Sequence, residues 1–359
     1  MIEQVSEITP EGLARYSDVI DVRSPAEFAL DHVPGAINLP VLDDAQRHQV
    51  GTLYVQQSKF LASRIGAAIV ARNIADHLDG PLADKPGSWA PLIYCWRGGN
   101  RSGAMATILS RVGWRVGLLQ GGYRTYRRGV VRSLYDETPP LRVVVVSGPT
   151  GSGKTALLEH ARALGAQVLD LEALAAHRGS LFGGLKAEPQ PSQRLFESRL
   201  LAAMEALDPN RPVLVEAESS RIGQISLPPA IWSRMVEAPR IEIDAPAPAR
   251  ARHIVETYTD ITSDLAVIED AIARLPRHIG RAEREAWLAL ARAGGFLDLA
   301  EQLIHVHYDP AYRRSEATRT GYTAGRVSLV GLAGDDLRTA AEHVVRLADL
   351  AQPWRKPGI

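Results

Sequence analysis

A β-branched run, Val143-Val144-Val145-Val146, empties into Gly148-Pro149-Thr150-Gly151-Ser152-Gly153-Lys154-Thr155, and this junction leaves few folds open to the chain. A strand, a glycine-rich loop and then a helical run over 156–163 form the unit in which loop amides wrap phosphate oxygens at a helix N-terminus. Gly148, Gly151, Ser152 and Gly153 build the loop, Lys154 reaches the terminal phosphates of a diphosphate, and the Thr155 hydroxyl is placed to ligate Mg²⁺. Further strand-like stretches at 167–169, 212–215 and 240–243 alternate with helical ones such as 194–207. Alternation of this kind predicts a mainly parallel sheet covered by helices on both faces. The later stretches 265–275, 281–293 and 336–350 add a helical C-terminal part. Asp170, Glu216 and Glu218 follow strands where a metal or its waters can be approached, and they read equally well as exposed strand-end carboxylates. The loop alone means polyphosphate, not hydrolysis.

With 359 residues the chain is long enough for two domains of about 150 residues each. Asp136-Glu137-Thr138-Pro139-Pro140 reads as the linker, because paired prolines cannot continue a helix. The expected division is 1–135, a linker at 136–140, and 141–359. Apolar residues make up 45% and charged residues 23%, proportions that exclude collagen-like, coiled-coil and largely disordered chains. No apolar run approaches the ~20 residues of a membrane helix, and the start MIEQVSEITP lacks a secretory pattern. The single cysteine excludes an internal disulfide and a thiolate metal cage. A cytoplasmic protein without membrane partners is expected.

Strand-like stretches at 18–22, 91–94 and 116–119, with helical spacing over 63–78 and an exposed loop over 79–88, make the first domain α/β as well. Its second strand ends at Cys95, followed by Trp96-Arg97-Gly98-Gly99-Asn100-Arg101-Ser102 and a helix. Glycines let the N–H groups of such a loop converge, and the helix N-terminus and two arginines add positive charge. A thiol there ionises below its free value, and the thiolate is a nucleophile whose cradle can also hold an anion carried on sulfur. Cys95 is the candidate catalytic residue; Arg97, Gly98, Gly99, Asn100, Arg101 and Ser102 are its candidate anion cradle.

Net charge is zero overall, yet residues 1–135 carry +3 and the remainder −3. Between Pro91 and Tyr135 stand eight arginines and no carboxylate. Arg124, Arg127, Arg128 and Arg132, interleaved with Tyr123 and Tyr126, are candidate tRNA contacts that grip backbone and stack a base. An ordinary helix whose acidic partners come from elsewhere in the fold accounts for the same pattern.

Asp21-Val22-Arg23-Ser24-Pro25-Ala26-Glu27-Phe28 and His32-Val33-Pro34-Gly35-Ala36-Ile37-Asn38-Leu39-Pro40 resemble the signature of rhodanese domains, with Cys95 where that family keeps its sulfur-carrying cysteine. The span from Cys95 to Arg101 is one residue longer than the usual sulfurtransferase loop and resembles that of dual-specificity phosphatases, which implies room for a larger anion than sulfide. Joined to a phosphate loop, the combination resembles one family. Its further motifs are Val50-Gly51-Thr52-Leu53-Tyr54, Asp170-Leu171-Glu172, His177-Arg178-Gly179-Ser180, Glu218-Ser219-Ser220-Arg221-Ile222-Gly223 and His307-Tyr308-Asp309-Pro310-Ala311-Tyr312. With Cys95-Trp96-Arg97-Gly98-Gly99, these resemble bacterial tRNA 2-selenouridine synthases over nearly the whole chain. The resemblance implies action on wobble 2-thiouridine in tRNAs for lysine, glutamate and glutamine. Geranyl diphosphate alkylates the sulfur, and selenium from selenophosphate then displaces the geranylthio group. It implies Mg²⁺ as a plausible cofactor and none tightly bound. A sulfurtransferase fused to a nucleotide-dependent kinase or ATPase, and a non-catalytic ligand sensor, are the competing readings.

Overall fold

The computed structural model describes residues 1–137, 140–177, 189–276, 279–316 and 321–351. Thr138 and Pro139 of the expected linker lie outside them. The chain forms two compact units, Met1–Glu137 with Pro191–Glu205, and Thr138–Gln190 with Ala206–Ile359.

The first unit is built on five parallel strands, β1 (Ile2–Val5), β2 (Asp18–Asp21), β3 (Ile37–Asn38), β4 (Pro91–Tyr94) and β5 (Val116–Leu119), in the order β1-β5-β4-β2-β3. All four residues of β4 are buried, as a central parallel strand covered on both faces requires. Strand β1 has no counterpart in the sequence expectations: Glu3 and Gln4 dilute its two apolar ends, and only pairing with β5, Ile2 against Val116, makes it a strand. The helix Lys59–Asp79 packs Ile69 and Ile74 inward, and Asn100–Val112 buries Met105, Ala106 and Leu109 on the same core.

The helix Gln193–Glu205 also belongs to this unit, although the sequence division placed it in the second part. Its buried side chains explain why. The Glu197 carboxylate accepts from Arg127 and from the Tyr135 hydroxyl, and Ser198 Oγ donates to Asp31 at 2.7 Å. Asp31, fully buried, accepts from Tyr123 Oη at 2.6 Å as well. The linker expectation shifts too, since Asp136 closes a helical turn, Arg132–Asp136, that continues Tyr123–Val131.

The second unit holds β6 (Arg142–Ser147), β7 (Gln167–Leu169), β8 (Pro212–Glu216), a small antiparallel hairpin of β9 (Arg221–Ile222) and β10 (Ile225–Ser226), β11 (Arg240–Asp244) and β12 (Thr323–Ser328). Its five-stranded sheet is parallel throughout, in the order β12-β11-β6-β8-β7. Helices Lys154–Ala163 and Gly334–Leu350 bury Leu157, Leu158, Ala341 and Val344 against Val144, Val146 and Ile243. A separate helical core gathers Ile268, Ile272, Trp287, Leu299 and Leu303, with Trp287 Nε1 donating to Gln302 at 3.0 Å. In each unit the reactive loop leaves the carboxyl end of an interior strand, the position where open α/β sheets place ligands.

Glu197→Ala removes the acceptor shared by Arg127 and Tyr135 and is expected to cost about 2–4 kcal/mol, because a buried partner is left uncompensated. Arg128→Ala, on the exposed side of the same helix, should cost less than about 0.5 kcal/mol. Chemical denaturation of the two variants decides this; equal midpoints would refute the role given to Glu197.

Candidate functional site

The Cys95 thiol sits at the end of β4, 3% exposed, where the chain turns into the helix Asn100–Val112. That helix starts after Gly99 without a side-chain cap, so its first N–H groups keep no local acceptor and face the loop. Burial by itself raises the Cys95 pKa. A 3.1 Å hydrogen bond from Ser102 Oγ, backbone N–H groups of Ser102 and Arg97, and the Arg101 charge more than offset it, holding the thiol below its usual range. Two glycines make the turn possible. Gly98 and Gly122 both have positive φ, and a Cβ on Gly122 would lie 2.1 Å from the Cys95 carbonyl oxygen. The thiol opens into a cleft of about 540 Å³ lined by Arg47, Trp96, Arg97, Gly99, Asn100 and Arg101.

The signature residues before this loop build its floor. Arg23, 1% exposed, donates to both Asp21 carboxylate oxygens and to the Asp31 carbonyl. Its guanidinium lies 4.1 Å from the Tyr123 ring centroid, and Trp96 stacks on that ring. Glu27 closes a capping box with Ser24 and takes Arg101 at 2.7 Å. Arg97 is exposed and makes no ion pair among the described residues.

The candidate tRNA arginines divide. Arg127 pairs with Glu197 and donates to the Arg194 carbonyl, so its charge is already answered within the fold. Arg132 carries an exposed pair with Glu137 at 3.3 Å, and surface pairs of that kind hold weakly. Arg124 and Arg128 face solvent. The carboxylates missing from that stretch come from elsewhere in the fold.

In the second unit Gly148, Gly151, Ser152 and Gly153 wrap the end of β6, with Gly151 and Gly153 at positive φ. Lys154 Nζ donates to the Gly148 carbonyl at 3.0 Å and lies 3.4 Å from Glu216. Thr155 Oγ1 donates to Glu216 at 3.0 Å and stands 3.5 Å from Glu172. The buried Ser152 Oγ has no partner among the described residues, as expected of a donor kept for a phosphate oxygen. Asp170 does not join the acidic group; it caps the helix Leu171–Leu174 by accepting from Ala173 N at 2.9 Å. The carboxylates that do converge are Glu172, Glu216 and Glu218, with one oxygen of each within 4.8 Å of the others. Hard oxygen donors around the Thr155 hydroxyl fit Mg²⁺. Burial and the neighbouring Glu216 and Glu218 push the Glu172 pKa up to about 9.

Two further residues matter here that sequence reasoning missed, Arg250 and His253, and two it quoted without a role, Glu172 and Asp309, gain one. Arg250, 4% exposed, donates to the Thr150 carbonyl at 3.1 Å and to the Ala245 carbonyl, and forks onto both oxygens of Asp309 at 2.9 and 2.8 Å. Asp309 thus gives the His307–Tyr312 motif its structural role. His253 and Glu172 line the same cleft, of about 390 Å³, with Tyr258 and Tyr312. Of the His177–Ser180 motif only His177 lies among the described residues.

Glu172 has its pKa raised from 4.5 unfolded to about 9 folded, so the folded state keeps a proton that the unfolded chain releases across that window. Stability therefore falls as pH rises from about 5 to 9 in chelator-treated protein. Glu172→Gln removes this loss, and its thermal midpoint should gain on the wild type steadily over that range. A difference independent of pH would refute the buried, proton-holding state.

A family model described as the tRNA 2-selenouridine synthase AAA domain matches residues 141–278, and the rhodanese-like domain model matches 4–128. A tRNA 2-selenouridine synthase of Nitrosomonas europaea is 38% identical over 244 residues, 67% of this chain and 63% of that protein. The chain thus spans a little under two thirds of the length of that relative. Proteins of the same name from Aeromonas salmonicida (34% identical, 82% of this chain and 86% of theirs) and Verminephrobacter eiseniae (32%, 84% and 90%) align over both units. With a thiol cradle on one unit and a phosphate loop on the other, the chain belongs to the tRNA 2-selenouridine synthase family.

Proposed function

We propose that this chain is a tRNA-modifying enzyme that replaces the sulfur of wobble 2-thiouridine by selenium in tRNAs for lysine, glutamate and glutamine. In this reading the phosphate loop serves S-alkylation by geranyl diphosphate, and the Cys95 cradle serves selenium delivery from selenophosphate. The observation that carries it is a lowered-pKa thiol in an amide cradle on a chain that also holds a phosphate loop ringed by three carboxylates.

The chemistry asks for both parts. A thiocarbonyl sulfur leaves poorly, but S-alkylation turns it into a thiolate leaving group on an electron-poor pyrimidine. For alkylation the sulfur bonds to the allylic carbon while the C–O bond to diphosphate breaks. Lys154 and the amides of Gly151–Thr155 receive the departing charge. Mg²⁺ held by Thr155, Glu216 and Glu218 would neutralise that diphosphate further. Ser102 Oγ and the N–H groups of Arg97 and Ser102 favour the Cys95 thiolate, which attacks the phosphorus of selenophosphate. An S–P bond forms as the Se–P bond breaks, the released selenide displaces the geranylthio group, and water then frees phosphate from Cys95, while Arg97 offers the anion a counter-charge. Arg124, Arg128 and Arg132 are exposed and are proposed to meet tRNA phosphates.

Two variants separate the steps. Cys95→Ala should accumulate S-geranyl-2-thiouridine and form no 2-selenouridine, as read by mass spectrometry of tRNA nucleosides; loss of both products would refute the division. Lys154→Ala should lower alkylation by at least about a hundredfold while a pre-geranylated tRNA is still selenated. Normal alkylation by Lys154→Ala would mean that the loop binds something else.

A further inference from the structure

An apolar cavity lies against the phosphate loop. Its walls include Ile254, Ile261, Ile268, Phe296, Leu299 and Leu303, with the hydroxyl-bearing Thr262 and Tyr308, and no charged side chain lines it among the described residues. The cavity belongs wholly to the second unit, between the helix Ala247–Thr257 and the helical core. Thr150 and Tyr258 line both this cavity and the cleft around Lys154 and Thr155, so the two spaces adjoin at those residues. The junction is held firmly: Arg250 grips the Thr150 carbonyl, and Gly151 presses so close to Ile254 that a Cβ there would stand 2.7 Å from its Cδ1.

We propose that this cavity takes the hydrocarbon chain of the diphosphate ester whose phosphates lie in the loop, an acyclic isoprenoid of one to two isoprene units. The inference rests on the reading that the loop holds an allylic diphosphate. Polarity selects the class of occupant. A nucleotide would bring a ribose and a base rich in donors and acceptors, and walls of isoleucine, leucine and phenylalanine leave those unpaired at a large cost. A branched hydrocarbon has nothing to leave unpaired, and its burial here removes apolar surface from water on both sides.

Size sets the length. The cavity is partly open and has a volume of about 70 Å³. At about 10–15 Å³ per water-sized group, it accommodates roughly five to seven heavy atoms, which is one isoprene unit with part of a second. The proximal unit then lies at the Thr150–Tyr258 junction, with the allylic carbon beside the loop. A much longer chain overfills the cavity.

The test is titration calorimetry of the full chain with Mg²⁺, using geranyl diphosphate, dimethylallyl diphosphate and inorganic diphosphate as probes. The wild type should bind geranyl diphosphate about a hundredfold more tightly than inorganic diphosphate, the gain expected for burying one isoprene unit. Ala300→Phe fills the buried wall and Thr262→Trp a half-buried one; both residues line the cavity. Each variant should lose at least about tenfold for geranyl diphosphate, lose less for dimethylallyl diphosphate, and keep wild-type affinity for inorganic diphosphate. Retained diphosphate affinity also certifies the fold of the loop. If inorganic diphosphate binds and geranyl diphosphate binds no tighter, or if both variants keep full geranyl affinity, the cavity assignment falls and the diphosphate reading stands. If neither diphosphate binds, the reading of the loop falls and takes the cavity's occupant with it.

Discussion

In each unit a buried arginine, forked onto a carboxylate, holds the anion loop from beneath. Arg23 joins Asp21 to the Asp31 carbonyl and lies against the rings that support Trp96, the residue after Cys95. Arg250 joins Asp309 to the carbonyls of Thr150 and Ala245. At Thr150 the physical demand is plain. A loop that turns its N–H groups toward a ligand turns carbonyls the other way, and those carbonyls need donors that water cannot supply. Guanidinium is suited to this task because it stays charged and offers five donors in a fixed plane. Removing Arg23 would strand the buried Asp21 carboxylate, and removing Arg250 would free the Thr150 and Ala245 carbonyls together.

Both sites also place charge against burial. At Cys95 burial disfavours the thiolate, and the site answers with one hydroxyl, two amides and a nearby arginine that Glu27 already half-neutralises. Amide dipoles do the work that free cations would do at greater desolvation cost. Around Thr155 the balance tips the other way: burial, and then the neighbouring Glu216 and Glu218, raise the Glu172 pKa against the pull of one ammonium.

What the sequence displayed was what short stretches decide alone. β4 with its cysteine loop, and β6 with its glycine loop, are local patterns in which strand, turn and helix follow within twenty residues, and both appear as expected. Partners distant along the chain were not legible. Nothing near Arg127 announces Glu197, seventy residues on, and so an arginine stretch without carboxylates looked freer than it is. Arg250 and Asp309 meet across 59 residues. Asp170 and Glu172 stand two apart after β7, and only the start of a helix there decides that the first caps it while the second joins the acidic group. Edge strands β1 and β12, half polar and exposed, are strands only through their neighbours β5 and β11.

The two cradles therefore suit different ligands on electrostatic grounds. The Cys95 cradle keeps amides and an exposed Arg97 for its anion, and its cleft is open, so it can receive a small charged species without help. The phosphate loop cannot do the same. Its Lys154 rests between the Gly148 carbonyl and Glu216, and Glu216 and Glu218 set carboxylates beside the loop, with Glu172 close to both. An anion arriving alone meets repulsion there, whereas a divalent cation arriving with it takes up the carboxylates and releases Lys154 toward the phosphates. On the proposed reading, the carboxylates around Thr155 favour a diphosphate that arrives with a divalent cation over a bare anion, and the apolar cavity beyond Thr150 would select for what that diphosphate carries.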